Sequence, residues 1–228
     1  VSTLTVILPV KNGGPWLTEA LTSVRAQTSP PDEVIVVDGH STDDSAAIAA
    51  RFDGRVVPQP DHGVAAGLNL GVAEARGDLV AFIACDDRWR PDKLALQRAR
   101  FAADPDLGAV FGHVRFFLEE GCAPPAGFRT ELFEGVHPGR LLETMVVRRA
   151  TLDAVGPFRT DLAIATDVDW FARLSERGTP TLMLPDVLLD KRVHDRNNAG
   201  DARRNTAELL KALRSSIQRR RSAAPDHG

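Results

Sequence analysis

Carboxylates mark the chemistry open to this chain. The run Leu79-Val80-Ala81-Phe82-Ile83-Ala84-Cys85 is apolar and ends at Asp86-Asp87. Two adjacent acids at the end of a buried strand repel each other and lose hydration unless a cation or a donor network compensates them. The alternative is a solvated turn ahead of a helix starting near Pro91. A second apolar run, Glu33 to Val37, ends at Asp38, and Asp61 follows a short third run, Arg55-Val56-Val57-Pro58. Asp167 and Asp169 open a helical segment, where the helix dipole favours acids, and His194 stands in a late polar stretch. Ligands of open α/β sheets sit just beyond the carboxyl ends of the strands. Acids at several such ends therefore point to one shared site.

The elements that must position these residues are legible in order. Thr3 to Val10 is β-branched and apolar and reads as a buried strand, stopped by a turn at Lys11-Asn12-Gly13-Gly14. Pro15 suits a helix start, with Leu17, Ala20, Leu21 and Val24 at helical spacing, and Pro30-Pro31 closes it. Gly39 to Ser45 supplies a turn and capping residues. A small-residue helix follows Gly63 and breaks at Gly77-Asp78. Strand and helix alternate in this way to about residue 103, the pattern of a parallel sheet with right-handed crossovers. Beyond it, Ala109 to Leu118 reads as a long strand and Glu119 to Gly135 as a loop or hairpin. Met145-Val146-Val147 and Thr181 to Leu184 read as short strands of a mixed extension. Asp201 to about Arg221 is an amphipathic helix with Leu209, Leu210, Leu213 and Ile217 on one face. The expected fold class is α/β, a Rossmann-like, mostly parallel sheet with helices on both faces. Its boundaries fall at 1–103, 104–200 and 201–228 within one continuous domain.

With 228 residues and 43% hydrophobic content the chain can bury a full core. A net charge of -3 and a pI near 6.1 argue against nucleic acid as a partner. Two cysteines and no signal peptide make a reducing cytoplasm the default expectation. No apolar run approaches the ~20 residues of a membrane span. The chain starts at Val1 without methionine, as an excised domain would, so flanking sequence could carry an anchor. Cys85 reads as a small packing residue, His113 as structural, and Arg148-Arg149 and Arg219-Arg220-Arg221 as solvated faces. The basic terminal helix is also suited to anionic lipid, a peripheral membrane contact. Gly13-Gly14 lacks the lysine and serine of a phosphate-binding loop.

Six motifs in register carry a resemblance. They are V-I-L-P-V-K-N, V-V-D-G-H-S-T-D, D-H-G-V-A-A-G-L-N-L-G with A-R-G-D, C-D-D-R-W, I-A-T-D-V-D-W and R-V-H-D-R-N-N. Together, from Thr3 to Asn198, they resemble the family 2 glycosyltransferases of GT-A fold. The resemblance implies an inverting enzyme with a nucleotide-diphosphate sugar donor, most often a uridine one, and a divalent cation, Mn²⁺ or Mg²⁺. It implies donor contacts from Pro9, Val10, Asp38, Asp61, Asn69 and Asp86, and metal ligands at Asp86, Asp87 and His194. Asp86 ranks first among these, because Ala84 stands where relatives carry the first acid of the signature. Many relatives carry a second acid after the position of Asp38, where this chain has Gly39. Asp167 is expected as the general base, with Asp169 as a helix cap or an ion-pair partner of Arg173. Turn capping is the alternative for Asp38 and Asp61, a surface site for His194, and a helix-dipole role for Asp167. The acceptor could be a saccharide, a lipid-linked saccharide, a natural product or a peptide, shaped by Glu119 to Gly139 and the last helix. Rival readings are a sugar-phosphate nucleotidyltransferase and a non-catalytic sugar-nucleotide or glycan-binding module.

Overall fold

Along the first strand, successive side chains enter two different cores. In β1 (Leu4–Val10), Leu4, Val6, Leu8 and Val10 pack on one face of the sheet and Ile7 on the other. The same period of two divides Val36 from Ile35 and Val37 in β2 (Glu33–Asp38), and Leu79 and Ala81 from Val80 and Phe82 in β4 (Leu79–Phe82). Strands buried on both faces need helices on both sides. α1 (Gly14–Arg25) and α4 (Lys93–Ala103) cover one face. α3 (Val64–Glu74), α5 (Arg149–Val155) and α6 (Thr166–Glu176) cover the other. Gly71 lets α3 lie close on β1, since a Cβ there would overlap Ile7 Cγ2.

The computed structural model describes residues 2–195 and 202–223. Its sheet is ordered β3 (Arg55–Pro58), β2, β1, β4, β8 (Val146–Arg148), β6 (Ala109–Leu118), β9 (Thr181–Val193), β5 (Arg88–Trp89), with β7 (His137–Gly139) paired to β6. The expected parallel half is present: β1, β2, β3 and β4 pair in parallel. Val10, Asp38 and Pro58 share one register line at its carboxyl edge. α2 (Ser45–Arg51) joins β2 to β3. The second half is mixed. β8 runs antiparallel to both β4 and β6, β7 is antiparallel to β6, and β9 is parallel to β6.

Three expectations are corrected. β4 stops at Phe82, short of the acids, because its ladder with β1 ends there; the chain then turns, with Asp87 N donating to Ala84 O at 3.3 Å. β5 follows and pairs antiparallel with β9. β9 extends to Val193 instead of ending at Leu184. Pro185 and Asp186 interrupt its apolar pattern, and register shifts against β6 absorb them. Arg148 and Arg149 are not solvated. Arg148 Nε donates to Leu107 O at 2.8 Å, and Arg149 caps the end of α3 through Val72 O and Ala75 O.

α7 (Ala202–Ala223) packs on α6 through Ser216 and Arg219 and on Leu162 and Ala165, just before α6, through Ala212, and turns Leu209, Leu210, Leu213 and Ile217 outward. Arg219, expected on a solvated face, pairs with Glu176 at 2.7 Å and with Asp169 at 3.3 Å.

Candidate active site

The turn after β4 and the end of β9 bring Asp86 and His194 together. His194 Nε2 lies 3.0 Å from Asp86 Oδ2, and the imidazole stacks on Trp16 with ring centroids 4.1 Å apart. Trp16 Nε1 donates to Glu119 at 3.1 Å. Arg192, two residues before His194, donates its Nε to Asp86 O at 2.8 Å and forms ion pairs with Glu119 and Glu19. The corner is thus built from β1–α1, β4–β5, β6 and β9. Asp86 remains partly exposed while His194 is buried.

Asp87 points the other way. Its carboxylate is fully buried and accepts from Lys191 Nζ and from the backbone N of Arg192, both at 2.9 Å. Both oxygens are therefore given to protein donors, which departs from the ligand role expected of it. Lys191 also reaches Glu143 at 3.1 Å. Burial raises the Asp87 carboxyl, with Lys191 pulling against it. Burial would lower Lys191, but Asp87, Glu143 and Asp86 overcome that and hold the ammonium well above the ordinary lysine value.

Asp167 stands in the first turn of α6, its Oδ1 accepting from Val168 N at 2.8 Å. Burial, followed by the charge of Glu143, pushes its carboxyl up to about 6. A carboxylate with that value is suited to accept a proton near neutral pH. Asp169, two residues on, is fully buried against Arg173 at 2.9 Å, Arg219 at 3.3 Å and Arg159 at 3.6 Å.

On the other side, Asp38 ends β2 half-buried and receives Ser41 N at 3.3 Å. The β1–α1 and β2–α2 loops are laced through Asn12 N to Ser41 Oγ at 2.9 Å and Thr42 N to Asn12 Oδ1 at 2.8 Å. Pro9 and Val10 line the same edge, and Asp61 is exposed in the β3–α3 loop. Asn69 lies elsewhere. Its amide exchanges two 2.8 Å hydrogen bonds with the backbone of Phe158, clipping α3 to the segment before α6. Cys85 packs beside Gly13, and burial with the charges of Asp86 and Asp87 pushes its thiol up to about 12, which makes it inert.

Hard divalent ions are commonly held by one or two carboxylates plus the phosphates of a substrate. Among the described residues no three His, Cys, Asp or Glu side chains converge as a metal cluster. Asp86 and His194 nevertheless fit such an ion: they offer an oxygen and an imidazole nitrogen, and their 3.0 Å spacing suits neighbouring ligands of one octahedral site.

Sequence reasoning missed Lys191, Arg192, Glu143, Trp16 and Glu119, and the rings of His40 and His62, tilted against each other at 4.5 Å beside Asp38 and Asp61. A non-glycine at φ 63°, as His40 is, would have been the signal only with backbone angles in hand.

Solved structures share this architecture. PcManGT, a mannosyltransferase from Pyrobaculum calidifontis in complex with GDP-Man and Mn²⁺, aligns with a TM-score of 0.73 at 24% identity, over 95% of this chain and 64% of that one. S. aureus TarS 1-349 in complex with UDP-GlcNAc aligns at 0.71 and 21% identity, over 88% and 61%. The fold is therefore GT-A. The model of glycosyl transferase family 2 matches residues 5–159, and the chain belongs to that family. MT1568 of Mycobacterium tuberculosis (strain CDC 1551 / Oshkosh) is 31% identical over 201 residues, 77% of this chain and 62% of that protein. Glycosyltransferase AglE of Haloferax volcanii is 26% identical over 200 residues, 81% and 65%. The chain thus spans less than two thirds of these relatives. The R-V-H-D-R-N-N motif is described only to Asp195; Arg196, Asn197 and Asn198 lie outside the described residues.

Proposed function

We propose that this chain transfers a sugar, with inversion, from a nucleotide-diphosphate sugar of the uridine type to the hydroxyl of an acceptor. The observation that carries the reading is the convergence of Asp86 on His194 at 3.0 Å, with Asp167 beyond the Lys191–Glu143 bridge as a carboxylate of raised pKa. Residues 1–103 would bind the donor and 104–200 the acceptor. TarS and PcManGT, which share the fold, have structures with UDP-GlcNAc and with GDP-Man and Mn²⁺.

Pro9, Val10, Asp38 and Asp61 line the edge assigned to the nucleoside. Asp86 and His194 would hold Mn²⁺ or Mg²⁺, whose chemistry is to stabilise negative charge on the leaving diphosphate. Asp167 takes the proton from the acceptor hydroxyl as its oxygen bonds to the anomeric carbon. The bond from that carbon to the diphosphate oxygen breaks with its electron pair on the oxygen, and the nucleoside diphosphate leaves on the opposite face. Asp87, Lys191 and Arg192 hold the turn that aims Asp86 at His194.

Proton NMR of the product formed from one accepted donor tests the reaction. The anomeric configuration should be opposite to that of the donor, and Asp167→Asn should abolish product while retaining donor binding. Retained configuration, or turnover by that variant, contradicts the proposal.

A further inference from the structure

α7 is docked by the side that amphipathic helices ordinarily turn to solvent. Its inner face is Ala212 and Ser216 with charged neighbours. Glu208 accepts from the backbone N of Ala163, Ile164 and Ala165 at 2.8, 2.7 and 3.2 Å, Ser216 Oγ donates to Glu176 at 2.6 Å, and Arg219 pairs with Glu176. Its outer face is aliphatic. Leu209, Leu210, Leu213 and Ile217 are 46, 46, 56 and 44% exposed; Leu213 lies four residues from Leu209, three from Leu210 and four from Ile217, so the four form one stripe. Scattered exposed leucines are ordinary, but a contiguous apolar face is not.

The charges around that stripe decide what covers it. Arg214, Arg220 and Arg221 are exposed beside it, and the carboxylate nearest Arg220 is Glu176 at 3.9 Å. Glu208 is the helix's one acid in sequence and is turned inward. A second copy of the same face would bring like charges together. A soluble polyanion would satisfy the arginines and leave the leucines in water. An anionic bilayer satisfies both, taking the aliphatic stripe into the headgroup boundary and the guanidinium groups onto lipid phosphates.

The geometry points to the outer face of α7 as a docking surface for an anionic lipid membrane. Glu208 binds the three residues just before α6, so a membrane on the far side of α7 lies one helix diameter, ~10 Å, from the end of α6 that carries Asp167. Among the described residues no helix is long and apolar enough to cross a membrane, and this contact is in the plane of the surface.

Flotation of the whole chain with phosphatidylcholine vesicles, with or without roughly one part in three phosphatidylglycerol, tests it. The protein should float with the phosphatidylglycerol vesicles and stay behind with phosphatidylcholine alone. Leu213→Glu with Ile217→Glu should weaken that binding about tenfold or more without lowering the melting temperature. Arg214→Gln and Arg220→Gln should each weaken it about fivefold and leave the aliphatic stripe intact. Absence of flotation, equal flotation by the variants, binding of a polyanion with none to vesicles, or a dimer that Leu213→Glu dissociates would each overturn the proposal.

Discussion

Lys191 Nζ stands 2.9 Å from Asp87 Oδ2, inside a corner where Arg192 N takes the other oxygen of the same carboxylate. That relationship gives two adjacent acids different work, because holding Asp87 inward leaves Asp86 aimed at His194. Removing Lys191 leaves Asp87 and Glu143 without their common counterion in a site where Asp87 sees no water. Lys191→Met should cost about 3 kcal/mol of stability in urea unfolding. Adding Asp87→Asn, which can still accept from Arg192 N, should recover most of it. A Lys191→Met variant as stable as the parent would show the pair to be dispensable.

The raised carboxyl of Asp167 sets a pH profile. A base with a value of about 6 loses its ionised form below that pH, so kcat/KM should fall about tenfold per unit on the acid side. The stability effect runs the opposite way. The folded value lies above the ordinary 3.8, so ionising the group opposes folding, absent below about pH 4 and complete above about pH 6. Asp167→Asn should therefore unfold ~2 kcal/mol later at pH 7 and lose that advantage at pH 4, as equilibrium urea titrations at the two values would read.

Asp169 should behave in reverse, two residues away. Its buried carboxylate is shared by Arg173, Arg219 and Arg159 across α6, α7 and the preceding loop. Asp169→Asn leaves three guanidinium groups short of a counter-charge and should destabilise by about 3–5 kcal/mol. Calorimetric melting of the two variants side by side should show shifts of opposite sign.

Lys93 is fully buried, with its Nζ 2.7 Å from Gln97 Oε1 and 4.3 Å from the Trp89 ring centroid. Burial holds its ammonium well below the ordinary 10.5. The folded state disfavours the proton, so stability should rise with pH above the folded value until the unfolded lysine titrates near 10.5. Lys93→Met should stabilise the fold at pH 7 and flatten that rise. A melting temperature with the same pH slope in both proteins would contradict this.

The first half of the sheet was legible in sequence because its information is local. β1, β2 and β4 are apolar runs bounded by turns, and the acids after them lie near a common edge. The role of each acid was less legible, because it depends on distant partners. Asp87 is turned inward by donors more than 100 residues away. Asn69 is claimed by Phe158, and no local pattern announces either contact. β9 reads short in sequence because Pro185 and Asp186 interrupt its apolar run ahead of the site residues Lys191 and Arg192. In α7 the period of the helix was readable, but the side that docks was not, since the backbone hydrogen bonds accepted by Glu208 and the ion pair of Arg219 outweigh the leucines.

Donor binding measured by calorimetry, with and without Mn²⁺, tests the central claim most directly. The parent chain should bind a uridine diphosphate sugar at least about tenfold more tightly with Mn²⁺ present, and Asp86→Asn should abolish that gain without lowering the melting temperature. Binding that ignores Mn²⁺, or a gain that survives in Asp86→Asn, would contradict the assignment of Asp86 and His194 as the metal corner.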